Sequence, residues 1–273
     1  MDLFNIKSNE LVKRAASGIF IVSIVVSSLY LGGYPWFLFC SMVAMGSLAE
    51  FYRMIKGLFH VSRAIGFLVG ATVLVLSFSH FYEAVLPLLV LCVFLVMIVE
   101  IIRKSITENS HGIYSLSGTI GGIVYCILPW SFVITLRQQP WGIFILGTLF
   151  LCTWSCDIMA YLIGCKWGKT PLAPLVSPKK TMEGFLGGLT GSLLCAGLLS
   201  YLWQLRPIPL LVIGLLCGTF GQMGDLAESL LKREVGIKDS GNIIPGHGGF
   251  LDRFDSVVIS ATLVYLFWGN LWS

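Results

Sequence analysis

Charge is scarce in this chain. Asp, Glu, Lys and Arg make up only 12% of its residues, about half the roughly 25% of a soluble domain. That excludes an ordinary soluble globular fold. Histidine is nearly absent, with four residues in 273. Three of them, His60, His80 and His111, lie near loops with no partner set, and none is expected to ligate a metal. The eight cysteines include no CxxC pair, which argues against zinc-ribbon and thioredoxin-type motifs. All lie in or beside apolar runs, where thiols pack as small hydrophobes. There is no low-complexity tract, internal repeat or polar linker, so a single domain over residues 1–273 is expected.

Hydrophobic residues are abundant instead, at 56%, and the mean hydropathy is +0.85. Apolar runs recur at close to the ~20 residues that a spanning helix needs. Nine are read, at about 15–33, 35–52, 64–82, 84–102, 115–136, 141–163, 184–203, 207–224 and 255–272. Pro87, Pro129 and Gly121-Gly122 fall inside them, as membrane helices tolerate. The expected fold is all-α and polytopic, with about nine transmembrane helices.

Assigning the loops to alternate sides puts 16 of the 18 basic residues on one side, leaving only Arg137 and Arg206 on the other. By the positive-inside rule the N-terminus and the polar segments at 164–183 and 225–254 are expected to be cytoplasmic and the C-terminus outside. The first run is long and lacks a small-residue cleavage site, so it is expected to be retained. The net charge of +4 suits anionic headgroups of a lipid bilayer and requires no nucleic acid. Tyr34, Trp36, Trp130, Trp141, Trp203, Trp268 and Trp272 fit interfacial belts. Glu50 with Arg53, and Glu100 with Arg103 or Lys104, are spaced to pair along a helix.

Against this background one segment stands apart. Residues 229–255, SLLKREVGIKDSGNIIPGHGGFLDRFD, carry eight charges in 27 positions. Burying them mid-bilayer would cost on the order of 20 kcal/mol. The segment therefore belongs at a membrane surface or in a wet cavity. Eight of the 14 acidic residues fall between Asp157 and Asp255.

Spacing gives these residues roles. Asp225, Glu228, Ser229 and Lys232 share one helix face, and Asp252 and Asp255 share another. Asp225, Asp252 and Asp255 are candidate metal ligands, in an oxygen-rich setting that suits one or more Mg²⁺ ions with phosphates completing the shell. The Pro245 to Gly249 stretch, with Gly248 and Gly249, can present backbone N–H groups to an anion. Lys179, Lys180, Lys232, Arg233, Lys238 and Arg253 supply positive charge, with Ser177 and Thr181 as phosphate-binding hydroxyls. Asp157 lies inside an apolar helix, where an acid is functional by default. Glu183 fits the start of a helix. Such an inventory suits phosphoryl or nucleotidyl transfer, and an anion transporter could present the same parts.

The same segment resembles the signature of phosphatidate cytidylyltransferases, the CDP-diacylglycerol synthases. The pattern runs S-x-[apolar]-K-R-x4-K-D-x-[small]-x2-[apolar]-[P/G/S]-x-H-G-G-[apolar]-x-D-R-[apolar]-D. Ser229, Lys232, Arg233, Lys238, Asp239, Gly241, Ile244, Pro245, His247, Gly248, Gly249, Phe250, Asp252, Arg253, Phe254 and Asp255 meet it without a departure. SPKKTMEGFLGG at 177–188, with Asp157, Tyr161 and Gly164, is similar to that family too. The likeness covers about residues 151–273, whereas about 1–150 agree only in being hydrophobic.

The resemblance implies a catalytic C-terminal half that joins CTP and phosphatidic acid into CDP-diacylglycerol and pyrophosphate, with Mg²⁺ required. It implies an integral protein of the inner membrane of a bacterium-like cell, its site facing the cytoplasm, and leaves homo-oligomerisation open. Asp225, Asp252, Asp255, Lys232, Arg253 and His247 would serve catalysis. Ser177, Lys179, Lys180, Thr181, Ser229, Arg233, Lys238, Asp239, Gly248, Gly249 and Asp157 would bind substrate. A phosphomonoester has its second pKa near 6, so the nucleophile hardly needs a base and His247 is read as a positioner. A CTP-dependent polyprenol or phytol kinase, or a cytidylyltransferase for another lipid phosphate, is the competing enzyme.

Overall fold

A computed structural model describes residues 2–58, 60–241 and 248–271, with side chains described from residue 17 to residue 267 of these. The helices are α1 (Asp2–Leu31), α2 (Gly33–Met54), α3 (Arg63–Phe78), α4 (Val85–Thr107), α5 (Gly112–Gly122), α6 (Leu128–Gln138) and α7 (Gly142–Trp167). A short hairpin follows, of β1 (Pro171–Ala173) and β2 (Ser177–Thr181). Then come α8 (Met182–Trp203), α9 (Pro207–Leu216), α10 (Gln222–Glu234) and α11 (Leu251–Leu271). Each of the nine apolar runs falls on a helix or a joined helix pair.

Two pairs are joined by π-helical turns, Ile123–Ile127 between α5 and α6 and Cys217–Gly221 between α9 and α10. Pro129, just past the first turn, cannot donate to the carbonyl one turn back, a common cause of such irregularity. Among the described residues, six segments are long and apolar enough to cross a membrane: Gly33–Gly57, Tyr82–Thr107, Gly112–Gln138, Gly142–Trp167, Met182–Trp203 and Pro207–Glu234. In helix content, length and composition this is a nearly all-helical membrane protein. Among the described residues the hairpin is the one strand element, and the hydropathy did not foretell it.

The chain divides into two compact units, residues 1–134 with 239–253, and residues 135–238 with 254–273. In the first, Trp36, Leu48, Tyr52, Leu74, Ile123, Ile127 and Trp130 are buried. The Tyr52 hydroxyl donates to the Thr119 carbonyl at 2.9 Å. Trp36 and Trp130 are 2% and 1% exposed, which corrects their reading as interfacial anchors. The Trp36 indole N–H donates to the Val133 carbonyl at 3.4 Å, and a satisfied indole can sit in a core. Tyr34 and Trp141 are exposed, while Trp268 and Trp272 lie outside the described side chains. Arg103 meets Glu100 at 2.8 Å, as their spacing predicts.

In the second unit α7 lies along α8 through a glycine face. Gly184, Gly187, Gly188 and Gly191 are buried at i, i+3, i+4 and i+7, and a Cβ on each would meet α7 atoms within about van der Waals contact or closer. Small residues let membrane helices approach this closely. Six of the eight cysteines are buried and all are free thiols; Cys165 is exposed and Cys195 half-buried.

Candidate active site

A cavity of about 580 Å³ lies within the second unit. α7 contributes Asp157, Ala160, Tyr161 and Gly164, which its 3.6-residue period places on one face. The hairpin adds Leu172, Lys179, Lys180 and Thr181, α8 adds Gly184 and Phe185, and α10 adds Gln222 and Asp225. Asp157, Lys179, Lys180, Thr181 and Asp225, singled out from the sequence, thus line one cavity.

Its charged wall is built from ion pairs. The Lys180 ammonium lies 2.7 Å from Asp225 Oδ2, and the Ser229 hydroxyl donates to Asp225 Oδ1 at 3.5 Å. One turn along α10, Lys232 Nζ meets Glu228 Oε1 at 3.2 Å, with Glu228 fully buried. Asp255 on α11 shares a hydrogen bond with Glu228 and lies within electrostatic reach of Asp225 and Lys180. Gly224 makes this possible, because a Cβ there would come within 2.7 Å of the Asp255 carbonyl oxygen. The predicted helix face at 225, 228, 229 and 232 is therefore one continuous polar strip, and two lysines offset three carboxylates.

Gln222, to which the sequence assigns no role, holds the base of this wall. Its amide nitrogen donates to the Phe185 carbonyl at 3.0 Å and the Gly218 carbonyl at 2.6 Å. Both partners accept only, so the amide orientation is determined and the carbonyl Oε1 remains as an acceptor. Gly218 lies in the π-helical turn between α9 and α10.

The hairpin is tied down at both ends. Thr181 caps α8, accepting from the Gly184 N–H at 3.1 Å. Glu183, in the first turn of α8, accepts from the Lys169 N–H at 3.1 Å and from the Thr170 N–H and hydroxyl at 3.2 and 3.0 Å. Its predicted place at a helix start is correct, and its partners are loop amides. Arg233 donates to the Val176 carbonyl at 3.3 Å. Glu183→Gln removes the anion that gathers these donors. Trypsin is expected to cut at Lys169 several-fold faster in that variant than in the wild type, and an unchanged rate would show that Glu183 does not hold the loop.

Of the signature's described residues, Asp239 to Gly241 and Gly248 to Arg253 fall in the first unit. Asp252 accepts from the Ser240 N–H at 3.0 Å, the Ser240 hydroxyl at 2.9 Å and the Gly249 N–H at 2.9 Å. Glu50 accepts from the N–H groups of Phe250 and Leu251 at 3.0 and 2.9 Å and from the Ser240 hydroxyl at 3.2 Å. This corrects its pairing with Arg53: the uncapped N–H groups at the start of α11 attract the carboxylate more strongly than an exposed neighbour does. Gly248 adopts a left-handed φ of 85°, which favours glycine. Lys238, Asp239, Arg233 and Arg253 are exposed, and Ser177 is half-buried in β2. His247, with Ile244 and Pro245, lies outside the described residues.

Among the described residues no group of three or more His, Cys, Asp or Glu side chains is arranged to hold a metal ion. Asp225 and Asp255 lie within electrostatic reach of one another. Mg²⁺ commonly takes one or two carboxylates and completes its shell with water and phosphate oxygens. The pair suits such an ion when phosphates accompany it.

Known proteins resemble this chain in sequence along most of their length. The pattern of the cytidylyltransferase family matches residues 12–270. A phosphatidate cytidylyltransferase of Bacillus subtilis is 34% identical over 265 residues, covering 93% of this chain and 96% of its own. One of Synechocystis is 33% identical over 291 residues, with 93% and 95% covered. One of Staphylococcus aureus is 32% identical over 253 residues, with 92% and 96% covered. The match reaches well into the hydrophobic N-terminal half, and this chain belongs to the cytidylyltransferase family.

Proposed function

We propose that the protein is a phosphatidate cytidylyltransferase, which makes CDP-diacylglycerol and pyrophosphate from CTP and phosphatidic acid in phospholipid biosynthesis. The observation that carries this reading is the Lys180–Asp225 pair on the cavity wall, with Asp255 within electrostatic reach. A phosphate oxygen of phosphatidic acid forms a bond to the α-phosphorus of CTP. The bond from that phosphorus to its bridging oxygen breaks, and the electron pair leaves with pyrophosphate. Anionic charge crowds every stage, so stabilisation is electrostatic.

Lys179 and Lys180 are placed to meet phosphate oxygens, with Thr181 and Ser177 as hydroxyl donors. Asp157 balances or orients those lysines. Lys232, Lys238 and Arg253 supply further positive charge, and Arg233 steadies the hairpin through Val176. Ser229 orients Asp225. Asp239, Gly248, Gly249 and His247 belong to the same signature and serve substrate positioning. Asp225 and Asp255 would hold Mg²⁺, which when bound supplies charge neutralisation for the phosphates. Asp252 is left out of that set here because three protein donors already converge on its Oδ2. The nine apolar helices are proposed to cross the inner membrane, with the N-terminus and this cavity on the cytoplasmic side, as the basic-residue bias supports.

Purified protein given CTP labelled on the α-phosphate, with phosphatidic acid, is expected to pass the label to lipid. Label reaching lipid only from the γ-phosphate would mark a lipid kinase and overturn the reading.

A further inference from the structure

We infer that Glu50, on α2, is a positioning residue for the signature segment and for the reaction it serves. The inference rests on the proposed function only in its kinetic readout. Glu50 is fully buried, yet it faces no cation among the contacts described for it. Its partners are the Phe250 and Leu251 N–H groups and the Ser240 hydroxyl. A buried carboxylate is costly unless its oxygens are satisfied, and these donors, with the positive end of α11, meet that need.

The chain thus meets one carboxylate twice, at Ser240 and again at Phe250–Leu251. Gly241 and Gly249 are glycines for the same reason. A Cβ on Gly241 would come within 2.6 Å of Glu50 Oε1, and one on Gly249 would collide with the carboxylate. Ser240 is shared, its hydroxyl lying 3.2 Å from Glu50 Oε2 and 2.9 Å from Asp252 Oδ2. Glu50 therefore sets where α11 begins and how Asp252, in its first turn, is held. It touches the segment through backbone amides and one hydroxyl and contributes no group to the reacting atoms.

Three variants test this. Glu50→Gln offers one acceptor oxygen and sets an NH₂ against donors. Ser240→Ala removes the shared hydroxyl with little change of volume. Glu100→Gln alters another buried carboxylate of the same unit, one that accepts from the His111 N–H, and serves as control. In detergent-solubilised full-length protein, Glu50→Gln is expected to lower kcat at least tenfold with KM for CTP within threefold of wild type. Ser240→Ala is expected to lower kcat three- to tenfold. Both should speed amide hydrogen exchange at residues 249–251, with thermal stability reduced no more than in Glu100→Gln.

Values of kcat within twofold of wild type in both variants would overturn the inference. So would a kcat loss that Glu100→Gln reproduces, or unchanged exchange at 249–251. If Glu50→Gln does not fold, Ser240→Ala decides by the same criteria. If the wild-type protein makes no CDP-diacylglycerol, the proposed function fails, and the exchange comparison still decides whether Glu50 positions the segment.

Discussion

Asp225→Asn is expected to lower kcat about 10²–10³-fold, the loss typical of removing one preorganised electrostatic group from a reaction centre. Asparagine keeps the size of the side chain and an oxygen for the Ser229 hydroxyl, so folding is spared. The charge is what disappears. Lys180, 2.7 Å away, loses its counter-ion, and the pair that Asp225 forms with Asp255 is left with a single anion. Lys180→Met should give a loss of similar size, since it strips the cation from the same wall. Because the two residues share one contact, the double variant should lose much less than the product of the single losses. The measurement is transfer of α-labelled CTP to phosphatidic acid, with an unchanged elution profile as the check on folding. Turnover of Asp225→Asn within threefold of wild type would remove Asp225 from the reaction.

Gly188→Leu is expected to be strongly disruptive in the α7–α8 seam. A Cβ at this position would sit 2.8 Å from Cys156 Sγ, 3.0 Å from Gln222 Nε2 and 3.1 Å from Ala160 Cβ. These atoms belong to α7 and α10, so the helix has no direction in which to yield cheaply. Overpacking costs typically 1–3 kcal/mol, and an isobutyl group wedged among three helices belongs at about the upper end. At roughly 2–4 °C per kcal/mol for chains near this size, the apparent Tm should fall by about 6–12 °C. The displaced Gln222 would also free the Phe185 and Gly218 carbonyls at the base of the cavity, so activity should fall with stability. Gly197 lies on the same helix with nothing within 4 Å of its added Cβ. Gly197→Leu is the matched control and should shift Tm by no more than about 2 °C, as surface substitutions do. Equal shifts in the two variants would show that α8 does not depend on this contact.

Hydropathy alone located the long apolar helices among the described residues, because a run of apolar side chains needs its backbone bonded internally wherever it meets lipid. Helical spacing found the strip at Asp225, Glu228, Ser229 and Lys232, since residues three and four apart must share a face whatever surrounds them. The polar motif at 177–188 pointed to Lys179, Lys180 and Thr181, all of which line the cavity. Their roles in turnover rest on the experiments above.

Other features were not legible. Glu50 carried a local signal, Arg53 three residues on, that outweighed partners 190 to 201 residues away in the chain. Trp36 and Trp130 looked like interfacial residues because composition reports an indole and says nothing of a carbonyl waiting for its N–H. Gln222 read as part of the apolar run at 207–224, because the carbonyls it meets, on Phe185 and Gly218, are brought to it only by the fold.

The sequence by itself determined a predominantly helical membrane protein, its polar strip and its family likeness, since hydropathy, helical period and motif are all local properties. Only the tertiary structure decided which charge meets which: Lys180 with Asp225, and Glu50 with the start of α11. The physical reason is that spacing defines a helix face but not its partner. A buried carboxylate goes to whatever donors the fold leaves unsatisfied, and those are created by distant segments coming together.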